Sequence, residues 1–163
     1  MKIVLVEPEI PQNTGNIGRT CAVLGAQLNL IEPLGFSLEE KMVKRAGLDY
    51  WHLIDYVTYP SFSSFLKMNP ETLLFFFSTK GAKVYTEVSY SADCALVFGK
   101  ESAGLPEELL RAYPERCVRI PMKQEARSMN LANTVAVAAF EVMRQNNFPG
   151  LMLEGTPRSF SWS

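Results

Sequence analysis

The sequence predicts a single α/β domain in which one parallel sheet carries helices on both faces. Short apolar runs typical of buried strands alternate with segments of helix length along the chain. Stretches rich in Gly, Pro and Asn separate them, and no internal repeat, low-complexity segment or domain linker interrupts the 163 residues. We therefore expect one domain over residues 1–150. The Gly-, Pro- and Ser-rich stretch 151–163 is expected to form an extended C-terminal tail.

The predicted elements follow from the apolar patterns in chain order. The expected strands are residues 2–7, 27–31, 73–77, 94–98 and a short run around 118–120. Five helices are expected. The first begins at Ile17 or Gly18 and ends at Leu24, and the others cover 38–46, 61–68, a segment entered at Pro106 and a segment after Asn130. Residues 84–90 carry no clear pattern and are predicted to be an irregular connection.

Composition excludes several classes of protein. Hydrophobic residues make up 47% and charged residues 20% of the chain, which is ordinary for a globular protein. No apolar run approaches the roughly 20 residues of a membrane helix, and the first residues lead directly into a strand. We therefore expect a cytoplasmic protein with no membrane contact.

The cysteines and the histidine do not form a metal site in sequence. Cys21, Cys94 and Cys117 are widely spaced and contain no C-x-x-C pair, and His52 is the one histidine. We expect buried, reduced thiols, a packed imidazole and no bound metal.

The charge balance predicts that any nucleic-acid contact is local. The net charge is −1 and the isoelectric point is near 5.9, whereas nucleic-acid-binding domains usually carry a basic footprint. Lys41, Lys44 and Arg45 share one face of the helix predicted over 38–46. This basic patch is either a solvated surface or a contact for RNA phosphates.

Polar loops follow three of the predicted strands. They cover residues 78–81, 99–106 and 121–130, and the last ends at Ser128 and Asn130, whose side chains are suited to cap a helix. Because the carboxyl ends of parallel strands meet at one edge of a sheet, we expect these loops to converge on a site for an anion or a nucleotide-like ligand.

A fourth polar segment precedes the first helix. It contains Asn13, Asn16 and Arg19, whose ordinary roles would be turn formation, capping and solvation. We expect Arg19 in the first turn of that helix, where the helix dipole disfavours a cation. A cation in that place would indicate a nearby anion or a functional task.

Three blocks of sequence together resemble a known family. They are EPEIPQNTGNIGRTCAVLGAQLNLIEPLGF, LVFGKESAGLPEEL and IPMKQEARSMNLANTVAVAAFE, in that order, with RAGLDYW between the first two. In these blocks the chain is similar to the SPOUT superfamily of knotted RNA methyltransferases. Within it, the chain resembles the bacterial enzymes that methylate the ribose 2′-oxygen of the tRNA wobble nucleotide, position 34, a cytidine or a modified uridine.

The resemblance implies a fold, a cofactor and partners. It implies that the domain over 1–150 ends in a deep C-terminal trefoil knot, that the protein is a homodimer, and that it binds the anticodon stem-loop of tRNA. It also implies S-adenosyl-L-methionine as the cofactor, S-adenosyl-L-homocysteine as its product, and no metal. Carried over by position, the implied cofactor contacts are Phe77, Gly99, Glu101, Ile120, Ser128 and Met129.

The resemblance further implies that Arg19 acts in catalysis, with Asn16 and Asn130 as candidates for orienting it or the ribose. A guanidinium has a pKa above about 12 and is a poor base, so we expect Arg19 to hold a phosphate or to stabilise the developing oxyanion. The helix after Asn130 carries a face of small residues that would permit close packing between two subunits. These residues are Ala132, Ala136, Ala138 and Ala139.

Two alternatives remain open at this point. The chain would be a non-catalytic α/β nucleotide- or RNA-binding module if Arg19 had no role in chemistry. It would be a base methyltransferase of the same superfamily if the methyl group went to a base, which the RSMN loop and Arg19 disfavour.

Overall fold

A computed structural model of the chain describes residues 1–38 and 54–159. The basic patch of Lys41, Lys44 and Arg45 lies outside the described residues, as does His52.

Within the described residues, seven strands form one parallel sheet, as the alternation of elements predicts. The strands are β1 (Lys2–Val6), β2 (Gln27–Ile31), β3 (Tyr56–Tyr59), β4 (Leu74–Phe77), β5 (Lys83–Val84), β6 (Ala95–Phe98) and β7 (Cys117–Arg119). Their order across the sheet is β3-β2-β1-β6-β4-β7-β5. The four central strands β1, β2, β4 and β6 are almost wholly buried because helices cover both faces, which explains their continuous apolar sequences.

The described helices divide between the two faces of the sheet. They are α1 (Pro11–Leu24), α2 (Phe62–Met68), α3 (Glu107–Ala112) and α4 (Leu131–Gln145), with 3-10 turns at Tyr85–Glu87 and Pro114–Arg116. Ile17 of α1 and Val135 of α4 are buried in one core, and Phe65 of α2 is buried in the core on the opposite face. None of the described helices is both long and apolar enough to cross a membrane.

The three cysteines are free and buried, as expected. Burial raises the pKa of both Cys21 and Cys94 to about 12. These two thiols are therefore protonated, weakly reactive parts of the core.

Helix α1 begins at Pro11, not at Ile17 or Gly18 as the sequence suggested. Pro11 suits the first helical position because its fixed φ matches a helix and its missing N–H has no intrahelical acceptor there. Asn13 and Thr14 are buried, so packing offsets the low helix propensity of this segment. Arg19 consequently lies in the body of α1, and the expectation that it occupies the first turn is wrong.

Strand β5 has only two residues, and the second of them, Val84, begins the stretch 84–90 that was predicted to be irregular. It pairs with β7, which lies between β5 and β4. The connection 78–82 between β4 and β5 therefore crosses β7. At this crossing the amide of Ser78 donates to the carbonyl of Val118 at 3.0 Å. A Cβ on Gly81 would lie 2.5 Å from the carbonyl carbon of Val118, so only glycine permits this close approach.

Candidate functional site

The loops that follow β4, β6 and β7 converge on one cavity of about 560 Å³. This size lies within the range of roughly 300–1,000 Å³ typical of small-molecule sites. The N-terminal end of α1 closes one side of the cavity through Ile10 and Asn13. The predicted convergence of three polar loops that are distant in sequence is confirmed.

All six residues implied as cofactor contacts line this cavity. They are Phe77, Gly99, Glu101, Ile120, Ser128 and Met129. The ring of Phe77 is stacked on that of Phe98 with centroids 5.0 Å apart, and Met122 adds to the apolar wall. The geometry therefore assembles the set, and contact with a cofactor stays a prediction for each member.

Asn130 caps helix α4. Its Oδ1 accepts hydrogen bonds from the amides of Ala132 at 2.9 Å and Asn133 at 3.3 Å, which satisfies two donors at the helix start. Ser128, the other predicted cap, is exposed and makes no such bond. The capping prediction is correct for Asn130 and wrong for Ser128.

Glu101 joins the loop after β6 to the segment that enters α1. Its Oε2 accepts from the amide of Glu9 at 2.8 Å, and its Oε1 accepts from the amide of Ile10 at 3.3 Å and from Nδ2 of Asn13 at 2.9 Å. Both carboxylate oxygens are thus engaged by the protein itself. Glu101 holds two of the cavity-forming segments together.

The same two segments exchange a second set of bonds in the opposite direction. The carboxylate of Glu9 accepts from the amide of Ser102 at 2.9 Å and from its hydroxyl at 2.8 Å, and these bonds lower the pKa of Glu9. Nζ of Lys100 contacts the carboxylate of Glu7 at 2.8 Å, which raises the pKa of Lys100. The strand order reverses between β1 and β6, and the crevice there is filled by the segments that follow these two strands. The cavity lies beside this crevice.

Asn13 is a residue of the site whose importance the sequence did not reveal. It is buried, it donates to Glu101, and its Oδ1 accepts from Nδ2 of Asn130 at 3.0 Å. One side chain therefore links the loop after β6, helix α1 and the cap of α4. The only available signal was its place in the QNTGN segment, where turn chemistry explained it equally well.

Asn16 and Arg19 do not line the cavity. Both are exposed on α1. Arg19 lies six residues beyond Asn13, a displacement of roughly 9 Å along a helix that rises about 1.5 Å per residue. Of the three predicted catalytic residues, the structure brings only Asn130 to the cavity wall.

The arrangement suits an elongated ligand with an aromatic base and a polar end. Apolar side chains supply a wall for a base, and the turns beginning at Ser78 and Gly99 supply backbone groups at the carboxyl edge of the sheet. Fold and cavity together define an α/β protein with a loop-built site for a nucleotide-like ligand. The family follows from the sequence itself: residues 1–140 match the model of the SpoU rRNA Methylase family, and the chain belongs to that family.

Close relatives share nearly the whole chain. The tRNA (cytidine(34)-2'-O)-methyltransferase of Aeromonas hydrophila is 48% identical over 155 residues, covering 94% of this chain and 99% of the relative. The protein of the same name from Escherichia coli K12 is 45% identical over 154 residues, covering 94% and 98% of the two chains. A solved structure that concerns the 2-OH methylation of C/U34 on tRNA aligns with a TM-score of 0.83 at 46% identity, covering 90% of this chain and 95% of the other.

A more distant solved structure contains the cofactor. The AdoMet-bound rRNA methyltransferase from Sinorhizobium meliloti aligns with a TM-score of 0.76 at 26% identity, covering 88% of this chain and 55% of the other. The fold of the present chain thus matches that of a protein solved with S-adenosyl-L-methionine.

Proposed function

We propose that this protein transfers a methyl group from S-adenosyl-L-methionine to the ribose 2′-oxygen of nucleotide 34 of tRNA, a cytidine or a modified uridine. The observation that carries the proposal is the cavity on which three loops converge, in a chain that is 48% identical over 155 residues to a tRNA (cytidine(34)-2'-O)-methyltransferase. A tRNA substrate agrees with the cytoplasmic location expected from the sequence.

The cavity fits the cofactor by chemistry. Phe77, Ile120 and Met129 would hold the adenine against apolar surface, and the turn at Gly99 would supply backbone groups to the ribose. When bound, the cofactor supplies a methyl group on a positively charged sulfur, which needs no further activation and no metal. The protein then has to align the 2′-oxygen with that methyl group and exclude water.

Different residues around the cavity would hold the loops in place and stabilise charge on the substrate. Asn13, Asn130 and Glu101 fix the loops relative to one another through direct hydrogen bonds, so the cavity is formed before the ligand arrives. Arg19 is proposed to stabilise negative charge that develops on the 2′-oxygen or to hold a neighbouring phosphate. Asn16, one turn earlier on the same exposed face of α1, is proposed to orient Arg19 or the ribose.

We propose that the crossing of β7 by the connection 78–82 belongs to the trefoil knot implied by the family resemblance. Support comes from the position of β7 between β4 and β5, because residues 117–119 then pass beneath a connection that was completed earlier in the chain. The backbones approach closely at this crossing, where a Cβ on Gly81 would lie 2.5 Å from the carbonyl carbon of Val118.

We also propose a homodimer, but of the four small residues of α4 named above only the half-buried Ala136 is open to a partner. Ala132, Ala138 and Ala139 are buried within the chain's own core, so they are not available to a partner. The exposed sides of α1 and α4 carry apolar side chains instead, with Val23 60%, Val137 38% and Phe140 45% exposed. Gln12, Asn16 and Arg19 lie along the same exposed side of α1. Packing of a second copy on this surface would bring Arg19 to a subunit boundary.

The dimer surface has a direct test. Phe140→Glu should convert a dimeric mass into a monomeric one in light scattering at micromolar concentration, because a charge would be placed in the apolar contact. Met68→Glu, which changes an even more exposed apolar residue on α2, should leave the mass unchanged. A wild-type protein of monomeric mass would contradict the proposal.

The activity is tested by transfer of a labelled methyl group to unmodified tRNA, followed by nuclease mapping of the product. We expect label on the ribose of nucleotide 34. Label on a base would favour the alternative base methyltransferase. Cofactor binding without transfer to any tRNA would favour the non-catalytic binding module.

A further inference from the structure

The cations around the cavity differ in whether they are already neutralised. Nζ of Lys80 forms an ion pair with Glu107, and Nζ of Lys100 forms one with Glu7. Arg127 also lines the cavity, yet within residues 1–38 and 54–159 its side chain forms neither an ion pair nor a hydrogen bond. Arg127 is exposed and precedes Ser128, one of the proposed cofactor contacts. Among the described residues, an exposed guanidinium without an ion-pair partner thus lines the cavity.

A second cation lies on the same loop. The amide of Ala126 donates to the carbonyl of Lys123 at 3.0 Å, so residues 123–126 form a tight turn. Lys123 and Arg127 follow one another closely around this turn, and both are exposed. Lys123 also has no ion-pair partner in the described part of the chain. Glu125 lies between them in sequence and reduces the local positive charge without removing it.

The chemistry of the proposed substrate requires a phosphate close to the edge of the cavity. The 2′-oxygen that is methylated and the oxygen that carries the 3′-phosphate are on neighbouring carbons of one ribose. A site that presents a methyl group to the first must therefore leave the second close to its edge. The guanidinium is planar and its donors match phosphate oxygens in pairs, which an ammonium cannot do.

We propose that Arg127 binds the phosphate on the 3′ side of the methylated nucleotide and that Lys123 binds a neighbouring phosphate. This inference rests on the proposed function and adds a substrate-positioning contact to it. It also accounts for RNA binding by a protein of net charge −1, because the attraction is concentrated at the site.

The test measures RNA binding and cofactor binding separately. The probe is an RNA hairpin with the sequence of a tRNA anticodon arm, titrated by fluorescence anisotropy at several salt concentrations. Arg127→Gln should weaken its binding about tenfold, and the slope of log Kd against log salt should fall by about 0.7, the change for one phosphate contact on a single strand. Arg127→Lys should give an intermediate affinity, because it keeps the charge and loses the paired donors.

A control variant and a second measurement separate failure of this inference from failure of the proposed function. Lys67→Gln removes another exposed cation, which lies on α2 and does not line the cavity, and should leave RNA binding unchanged. The dissociation constant of S-adenosyl-L-methionine for Arg127→Gln should stay within about twofold of wild type in calorimetry. Unchanged RNA affinity, or an equal loss of cofactor affinity, would overturn the inference. A wild-type protein that binds the hairpin through Arg127 but methylates no tRNA would instead overturn the proposed function.

Discussion

Replacing Arg19 by alanine should reduce methyl transfer to tRNA by at least about 100-fold while the affinity for S-adenosyl-L-methionine changes less than about threefold. The first expectation follows because removal of one donor to a developing oxyanion typically costs 10²- to 10³-fold in rate. The second follows because Arg19 is exposed on α1 and does not line the cavity. Single-turnover transfer of labelled methyl groups measures the rate, and calorimetric titration measures the affinity.

An exposed arginine elsewhere provides the matched control. Arg111→Ala changes α3, on the other face of the sheet from α1, and should alter neither quantity. Arg19→Lys keeps the positive charge but loses the planar guanidinium with its paired donors. A methyl-transfer rate well above that of Arg19→Ala would show that charge is the main contribution of this side chain. If Arg19→Ala lost cofactor affinity and rate in equal proportion, Arg19 would be a structural residue, and the catalytic role would be contradicted.

The elements of the sheet could be predicted because burial is a strong signal in sequence. Strands such as β4 and β6 are covered on both faces, so every residue in them is apolar, and their bounds were predicted within one residue. The three loops could be predicted as a site for a related reason. Parallel strands end at one edge, and polar residues there have no role in the core.

The features that were not predicted from the sequence depend on contacts between segments that are distant in the chain. Local propensity placed the start of α1 too late because Asn13 and Gly15 are poor helix formers, and burial by the folded chain overrides that preference. Strand β5 has two residues, too few for any period. The bond from Asn13 to Glu101 spans 88 residues of sequence and the bond from Asn130 to Asn13 spans 117. No local pattern encodes such pairs.

These long-range bonds explain why a site made of loops has a defined shape. Asn13 joins Glu101 and Asn130, and the bonds from Ser102 to Glu9 tie the loop after β6 a second time to the segment after β1. The segments after β1, β6 and β7 therefore cannot move independently. The loop after β4 has other ties: Lys80 forms an ion pair with Glu107 at the start of α3, and the amide of Ser78 donates to the carbonyl of Val118 at the crossing of β7.

That crossing leads to the largest expected effect on folding, which is that of Gly81→Ala. A Cβ at this position would lie 2.5 Å from the carbonyl carbon and 2.6 Å from the carbonyl oxygen of Val118, and 2.9 Å from the amide nitrogen of Arg119. All three are backbone atoms, so no side-chain rotation relieves the overlap. The connection 78–82 would have to move away from β7, which would break the bond from Ser78 to Val118 and the short β5 pairing. We expect a loss of about 3 kcal/mol in the free energy of unfolding.

Urea unfolding followed by circular dichroism, at one protein concentration, measures this loss as a lower midpoint. Cofactor affinity should fall as well, because the turn that begins at Ser78 lines the cavity. Gly155→Ala is the matched control, since a Cβ there would meet no atom within 4 Å, and its midpoint should equal that of wild type. Ordinary surface substitutions change the free energy of unfolding by about 0.5 kcal/mol or less. If Gly81→Ala changed it by no more than that, the crossing would have room for a methyl group. The close approach of the two backbones at Gly81 would then be contradicted, while the strand order that supports the knot would stand.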